Sequence, residues 1–411
     1  MIKHKDNKNI KTEKEAAKRS FPAVNISLLV ISIIIILIPA EFFLRYRENR
    51  IAKRTFQEDK VRLDRLMGRS PKDMLNIFFF NGCIMKSTLI KDDPVLGYIN
   101  VPNTSGYSIH VDGQANWIVP AEFDIRELNP KHKAASFRIN SLGNRGPEMA
   151  VEKPADTCRV VFIGDSITFG YYVNEKDIFP SLVGKHLSSM VPKERRVEVI
   201  NAGVSSLDAT YTLAHLKRRV LSWSPDLIIW GFYINDIYDV GEREGDVLFP
   251  VRKLGWLRHI DRFALGRLVE SYVFATSLGG RLGVDPENDV NKAVDKGWVQ
   301  VEKDLAEAKR ISEKHDIPLI VIIFPTAMQF NYPWTKLNYQ ERLKEICKKY
   351  GIDYIDLYFS LEKAESSKEK AYYFGDLIHP NENGHKAAAS RIISYIRQKP
   401  EIITRLSRAC Q

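Results

Sequence analysis

Cysteine is scarce in this chain: Cys83, Cys158, Cys347 and Cys410 are the four in 411 residues, with no C-x-x-C pair and no metal-ligand cluster around them. No metal or other cofactor is therefore expected, and the spacing does not fix a redox compartment. Cys158 and Cys347 fall in or beside apolar core segments and read as small buried residues rather than as disulfide partners. Zinc-finger spacing, an RNA-binding signature and a regular aromatic-basic interleaving are all missing, so nucleic acid is not an expected partner despite a net charge of +10. The G-x-S-x-G elbow of the α/β-hydrolases is absent too. Neither an internal repeat nor a low-complexity stretch is visible.

Apolar residues are plentiful. At 44% hydrophobic content the chain can bury one large core, and its length suggests two or three units. One apolar run, Val24 to Leu44, is close to the ~20 residues that a spanning helix needs and exceeds the core of a cleaved signal peptide. It is expected to be an uncleaved membrane anchor, with Pro39 and Glu41 near its end where an interface solvates them. Lys3, Lys5, Lys8, Lys11, Lys14, Lys18 and Arg19 precede it, and Arg45, Arg47, Arg50, Lys53 and Arg54 follow almost as densely. A count of basic residues does not orient the segment. Drawing a short lysine-rich tail outward is unfavourable, whereas long domains translocate largely regardless of charge. The tail, residues 1–23, is thus expected in the cytoplasm and the rest outside, periplasmic or extracellular.

Beyond the anchor, residues 45–91 read as a basic stalk, and 92–150 as a β-rich accessory segment of short runs broken by Gly, Pro, Asn and Asp. From 157 to 400 the pattern alternates. Apolar runs at 159–163, 197–200, 226–230, 318–324 and 352–357 predict five parallel strands. Helical spacing from Ile178 to Met190, Ala209 to Val220, Val294 to His315, Tyr339 to Tyr350 and Gly384 to Arg397 predicts the helices between and beyond them. Together they give a three-layer α/β/α, doubly wound fold. Residues 240–289 interrupt the alternation with Leu254, Leu257, Ile260, Ala264, Leu265, Leu268 and Tyr272 at helical spacing among Arg258, Arg262 and Arg267. This insertion is read as an ordinary packed helix, with a lid or a membrane contact as alternatives.

The chemistry-bearing residues sit where strands end. Arg159-Val-Val-Phe-Ile-Gly-Asp-Ser166 places a hydroxyl just past the first strand of the alternating region. There an open α/β sheet binds its ligands. A serine hydroxyl is a weak nucleophile until an oriented base takes its proton. Asp376-Leu-Ile-His379 supplies a carboxylate and an imidazole in one loop. Asn201-Ala-Gly203 and Gly231-Phe-Tyr-Ile-Asn235-Asp236 follow two further apolar runs.

These four ordered blocks resemble the SGNH (GDSL-like) hydrolases, and with the anchor the chain is similar to a membrane-anchored bacterial-type member. The resemblance, over roughly 157 to 400, implies an SGNH or flavodoxin-like fold. It also implies Ser166 as nucleophile and backbone oxyanion donor, Gly203 as a second backbone donor, Asn235 as side-chain donor, His379 as base and Asp376 as its orienter. Anchored relatives also carry a β-rich prelude with an Asn-Ser-x-Gly-x-Arg-Gly-like run, here Asn140-Ser-Leu-Gly-Asn-Arg145-Gly. Arg145 is therefore a candidate for a substrate carboxylate or sugar, weighed against a solvated turn arginine. Asp165 and Asp236 read as turn formers, Asn381 and Asn383 as helix caps, and His385 as a surface or helix residue. Three functions fit: an acyl or acetyl esterase, an O-acyltransferase acting on a cell-surface glycan with the same residues, and a non-catalytic glycan-binding scaffold. The intact blocks count against the scaffold.

Overall fold

The run Thr157–Gly164 is buried at every residue, as an apolar β-branched segment must be when helices cover both faces of a sheet. In the computed structural model it is an interior strand of the largest of three sheets among the described residues. Described are residues 37–40, 42–43, 89–110, 117–121, 125, 133–237, 286–331, 339–373 and 378–408, with only the backbone at 92, 117–120, 286–296 and 328. Strands are numbered along the chain. β1 (Ile90–Asp93) and β2 (Gly97–Asn100) form an antiparallel hairpin. β3 (Ser105–His110) lies between β4 (Trp117–Pro120) and β5 (Lys133–Arg138) in a three-stranded antiparallel sheet. β6 (Thr157–Gly164), β7 (Arg196–Asn201), β8 (Leu227–Phe232), β9 (Leu319–Ile323) and β10 (Asp353–Asp356) form a parallel sheet in the order β10-β9-β8-β6-β7.

That order is the flavodoxin-like one, in which the chain winds to one side of the first strand and then to the other. The switch falls between β6 and β8, and it is in the crevice at such a point, outside the carboxyl ends of the strands, that open α/β sheets bind their ligands. Burial follows position in the sheet: β6, β8 and β9 are buried throughout, whereas the edge strands β7 and β10 are only partly so. The five predicted strands are all present within two residues of their expected ends. The α/β fold and the β-rich segment before it are as the sequence implied.

Helix ends differ more. The helix expected from Val294 begins at Pro286, and the one expected to reach Val220 stops at Arg218 before a short 3₁₀ turn, Val220–Trp223. Helices Tyr358–Glu365 and Pro400–Ser407 were not predicted, being one face of contacts too short to show periodicity. Asn381 caps Glu382–Arg397, accepting from the Asn383 and Gly384 N–H groups. Asn383 is not a cap: it lies inside that helix and donates to the Glu369 carbonyl at 2.7 Å.

Two compact units divide the chain, Met1–Glu58 with Val251–Phe274, and Asp59–Pro250 with Ala275–Gln411. In the first, the described residues 37–40 and 42–43 are helical, with Leu37, Ile38, Phe42 and Phe43 exposed. Among the described residues no helix is long and apolar enough to cross a membrane. Most of the Val24 to Leu44 run, nearly all of the stalk, Cys83, Cys410 and the insertion up to 285 lie outside the described residues. Cys158 and Cys347 are buried free thiols, and burial pushes them up to about 11 and about 12.

Candidate active site

The site grows from the end of β6. Asp165 caps the short helix Ser166–Phe169, its Oδ1 accepting from the Ile167 N–H at 2.9 Å. Ser166 is the first residue of that helix and 8% exposed. Gly170 closes the helix in the left-handed conformation, φ 88°, and its N–H donates to the Ser166 carbonyl. A turn this tight presents the serine at the crevice between β6 and β8.

His379 arrives from the other end of the chain. Its Nε2 lies 3.0 Å from Ser166 Oγ across 213 residues of sequence. Tyr171 and Tyr172 stand nearly perpendicular to the imidazole, with ring centroids at 5.6 and 5.4 Å. Asp376, the expected orienter, falls outside the described residues. The sequence-predicted serine and histidine are thus together.

The oxyanion candidates come from the next two strand ends. Asn201, last residue of β7, donates through Nδ2 to the Thr168 and Phe169 carbonyls at 2.9 and 3.2 Å, tying the strand to the serine helix. Its Oδ1 accepts the Gly203 N–H at 3.0 Å. A side chain at Gly203 has no room, since a Cβ there would sit 2.4 Å from the Phe169 nitrogen. Asn235 is half-buried in the 3₁₀ turn Ile234–Ile237 after β8, and its Oδ1 has no hydrogen-bond partner among the described residues. Asp236 braces that turn as expected, its Oδ2 accepting the Tyr233 N–H at 2.8 Å.

Two carboxyl groups are buried under this crevice. Burial pushes Asp165 upward, against the Ile167 N–H, the nearby His379 and the Asn235 amide, which favour its anion. Burial, and then the charge of Asp165, push Asp236 well above the usual carboxylate range. Asp165 Oδ2 and Asp236 Oδ1 have no hydrogen-bond partner among the described residues. Taking a carboxylate from water without pairing it is costly, so the protein gives up stability here.

Arg145 is not a solvated turn arginine. It is 3% exposed, and its guanidinium donates to the carbonyls of Phe169, Gly170 and Val173 at 2.8, 2.6 and 2.6 Å and to that of Ser136 at 3.2 Å. From there it holds the loop behind the serine helix. Burial brings it down to about 10. His385 is a helix residue, within Glu382–Arg397, but not a surface one: it is buried, its Nδ1 accepts the Phe179 N–H, and burial holds it down to about 3. Sequence reasoning missed Tyr171, Tyr172 and the role of Asn201. Asn201 stood inside a quoted block; the tyrosines carried no signal, because only folding brings them to His379.

The profile of the GDSL-like Lipase/Acylhydrolase family matches residues 162–387, more than half of the chain. Among solved structures, the chain is similar to a lipolytic protein of the G-D-S-L family from Desulfitobacterium hafniense, at 16% identity, covering 57% of this chain and 98% of that one with a TM-score of 0.35. It is similar to a two-domain esterase active on acetylated mannans, at 15% identity, 62% and 52% coverage and a TM-score of 0.38. An acetylxylan esterase from Geobacillus stearothermophilus gives 17% identity, 58% and 93% coverage and a TM-score of 0.37. No curated protein matches the chain. On the profile match, which spans the serine and the histidine, the chain belongs to the GDSL-like lipase/acylhydrolase family and is a hydrolase of ester bonds.

Proposed function

We propose that the chain is a membrane-anchored acyl or acetyl esterase in which Ser166 is the nucleophile, His379 the base and Asp376 the group that orients it. The observation that carries this reading is the 3.0 Å contact between His379 Nε2 and Ser166 Oγ, within reach for direct proton transfer. As Oγ attacks the ester carbonyl, His379 takes its proton. The resulting imidazolium then protonates the departing alcohol, which leaves Ser166 acylated. Water, deprotonated by His379 in turn, attacks the acyl carbon and releases the acid.

Charge on the tetrahedral oxygen is met by the Ser166 N–H, the Asn235 amide and the Gly203 N–H, which is shared with Asn201 Oδ1. One such donor is worth roughly 3 to 4 kcal/mol in the transition state. Val24 to Leu44 anchors the chain with its amino-terminal tail in the cytoplasm and the hydrolase domain outside, where an acylated cell-surface glycan is within reach. The exposed apolar helix residues Leu37, Ile38, Phe42 and Phe43 support the anchor.

Hydrolysis of a short aryl acetate tests the site. Ser166→Ala and His379→Ala are each expected to abolish it, with the double variant losing little more than either alone because the residues act as a unit. Full activity in either single variant overturns the assignment. Trapping the acyl-enzyme by mass spectrometry and offering water or glycan hydroxyls then separates esterase from O-acyltransferase. Protease added to intact cells is expected to digest the hydrolase domain, and protection of that domain reverses the orientation.

A further inference from the structure

The three-stranded sheet carries none of the family's four blocks, yet it reaches the base. Ser108, buried in its central strand β3, accepts the Tyr172 N–H at 3.0 Å. His110, at the end of β3, lies edge-on to the Tyr172 ring at 5.5 Å and stacks on Tyr373 at 4.6 Å. The Tyr373 hydroxyl donates to the Tyr172 carbonyl at 2.7 Å. From β5, Ser136 gives its carbonyl to Arg145 and its N–H to Asn174 Oδ1 at 3.1 Å. Both ends of the loop after the serine helix are thereby fixed to this sheet.

Tyr172 itself is held against its own preference. Its φ is 63°, in the left-handed region where glycine or asparagine sits without strain, and it is 2% exposed. A bulky residue persists there only when its surroundings over-determine it, and such outliers gather at functional sites. What this backbone achieves is the placement of a ring perpendicular to His379, at 88°. Edge-to-face aromatic pairs are favoured over a face-to-face sandwich, and a ring packed in this way resists rotation of the imidazole away from Ser166.

We propose that the three-stranded sheet is a working part of the catalytic site, and that Tyr172, set by Ser108 and His110, is a positioning residue that fixes the plane of the His379 imidazole. The proposal rests on His379 being the base. Its test uses the whole chain in membranes, a short aryl acetate, and the variants Tyr172→Phe, Tyr172→Leu, Ser108→Ala and His379→Ala. Misplacing a catalytic group by about 1 Å can cost on the order of 100-fold in rate. Tyr172→Leu, which stays apolar but removes the ring, is therefore expected to lower kcat by roughly 10- to 100-fold with KM unchanged, and the loss is expected to persist well below the melting temperature. Tyr172→Phe should restore kcat, and Ser108→Ala should show a smaller loss confined to kcat. Normal kcat in Tyr172→Leu, or a loss that vanishes on cooling, beside an inactive His379→Ala overturns this proposal alone. Should Tyr172→Leu fail to fold, unchanged kcat in Ser108→Ala overturns it. Full activity in His379→Ala overturns the base assignment and the proposal with it.

Discussion

The two ends of the parallel sheet treat buried charge in opposite ways. At the amino end, Arg159 of β6 is fully buried, yet its guanidinium meets Glu198 at 2.6 Å and the carbonyls of Ala150, Val151 and Trp223 at 2.5, 2.8 and 2.8 Å. Its N–H donates to Asp226, which also pairs with Lys153 at 2.8 Å. At the carboxyl end of the sheet, Asp165 after β6 and Asn235 and Asp236 after β8 each keep a buried oxygen without a hydrogen-bond partner among the described residues. One end is saturated and the other is left wanting. A saturated network holds the fold, whereas buried oxygens left unpaired cost it stability.

Breaking the saturated end is expected to have the largest effect on the fold. Arg159→Leu leaves Glu198 without its buried partner and the carbonyls around it without a donor, which should destabilise the domain by about 3 to 5 kcal/mol, read as a fall of roughly 10 °C in melting temperature. Activity per folded molecule at low temperature should stay near normal. If Arg159→Leu melts like the parent, the amino end is not the stabilising one.

The opposite split is expected at the other end. Asn235→Ala should lower kcat by roughly 10² to 10³ while KM and melting temperature hold, as expected of a donor aimed at charge that forms only in the transition state. Normal kcat in the folded variant removes Asn235 from the oxyanion hole.

The smallest expected effect concerns Asp236, and it is a gain. Its carboxyl is raised in the fold, so the native state holds its proton more tightly than the unfolded chain does, and stability falls as pH rises from the unfolded value of about 3.9 through the raised one. Asp236→Asn removes that loss and the like charge beside Asp165, and its side-chain oxygen can still accept the Tyr233 N–H. It should gain about 1 kcal/mol at neutral pH. Melting curves against pH check the sign: the advantage should shrink toward pH 4, and an advantage that grows on acidification contradicts the assignment.

The amino-acid sequence by itself determined the parallel sheet, the order of its strand-end blocks and the serine and histidine that meet. Runs such as Val160 to Ile163 and Ile228 to Phe232 are apolar because both faces of the sheet are covered, and that constraint acts residue by residue along the chain. Ser166 and His379 could be named because each stands in a short local block after an apolar run or before a helix. Arg145 could not be placed this way. Its four carbonyl acceptors come from Ser136 and from Phe169, Gly170 and Val173, a set that exists only once the chain has turned back on itself. Tyr172 is the same case, since nothing in Gly170-Tyr-Tyr-Val173 indicates a left-handed tyrosine standing against a histidine more than 200 residues away. Periodicity and turn chemistry are local and leave their mark in neighbouring residues. Which ring meets which ring, and which carbonyls share one guanidinium, depends on non-local contacts between segments, and those only the tertiary structure decided.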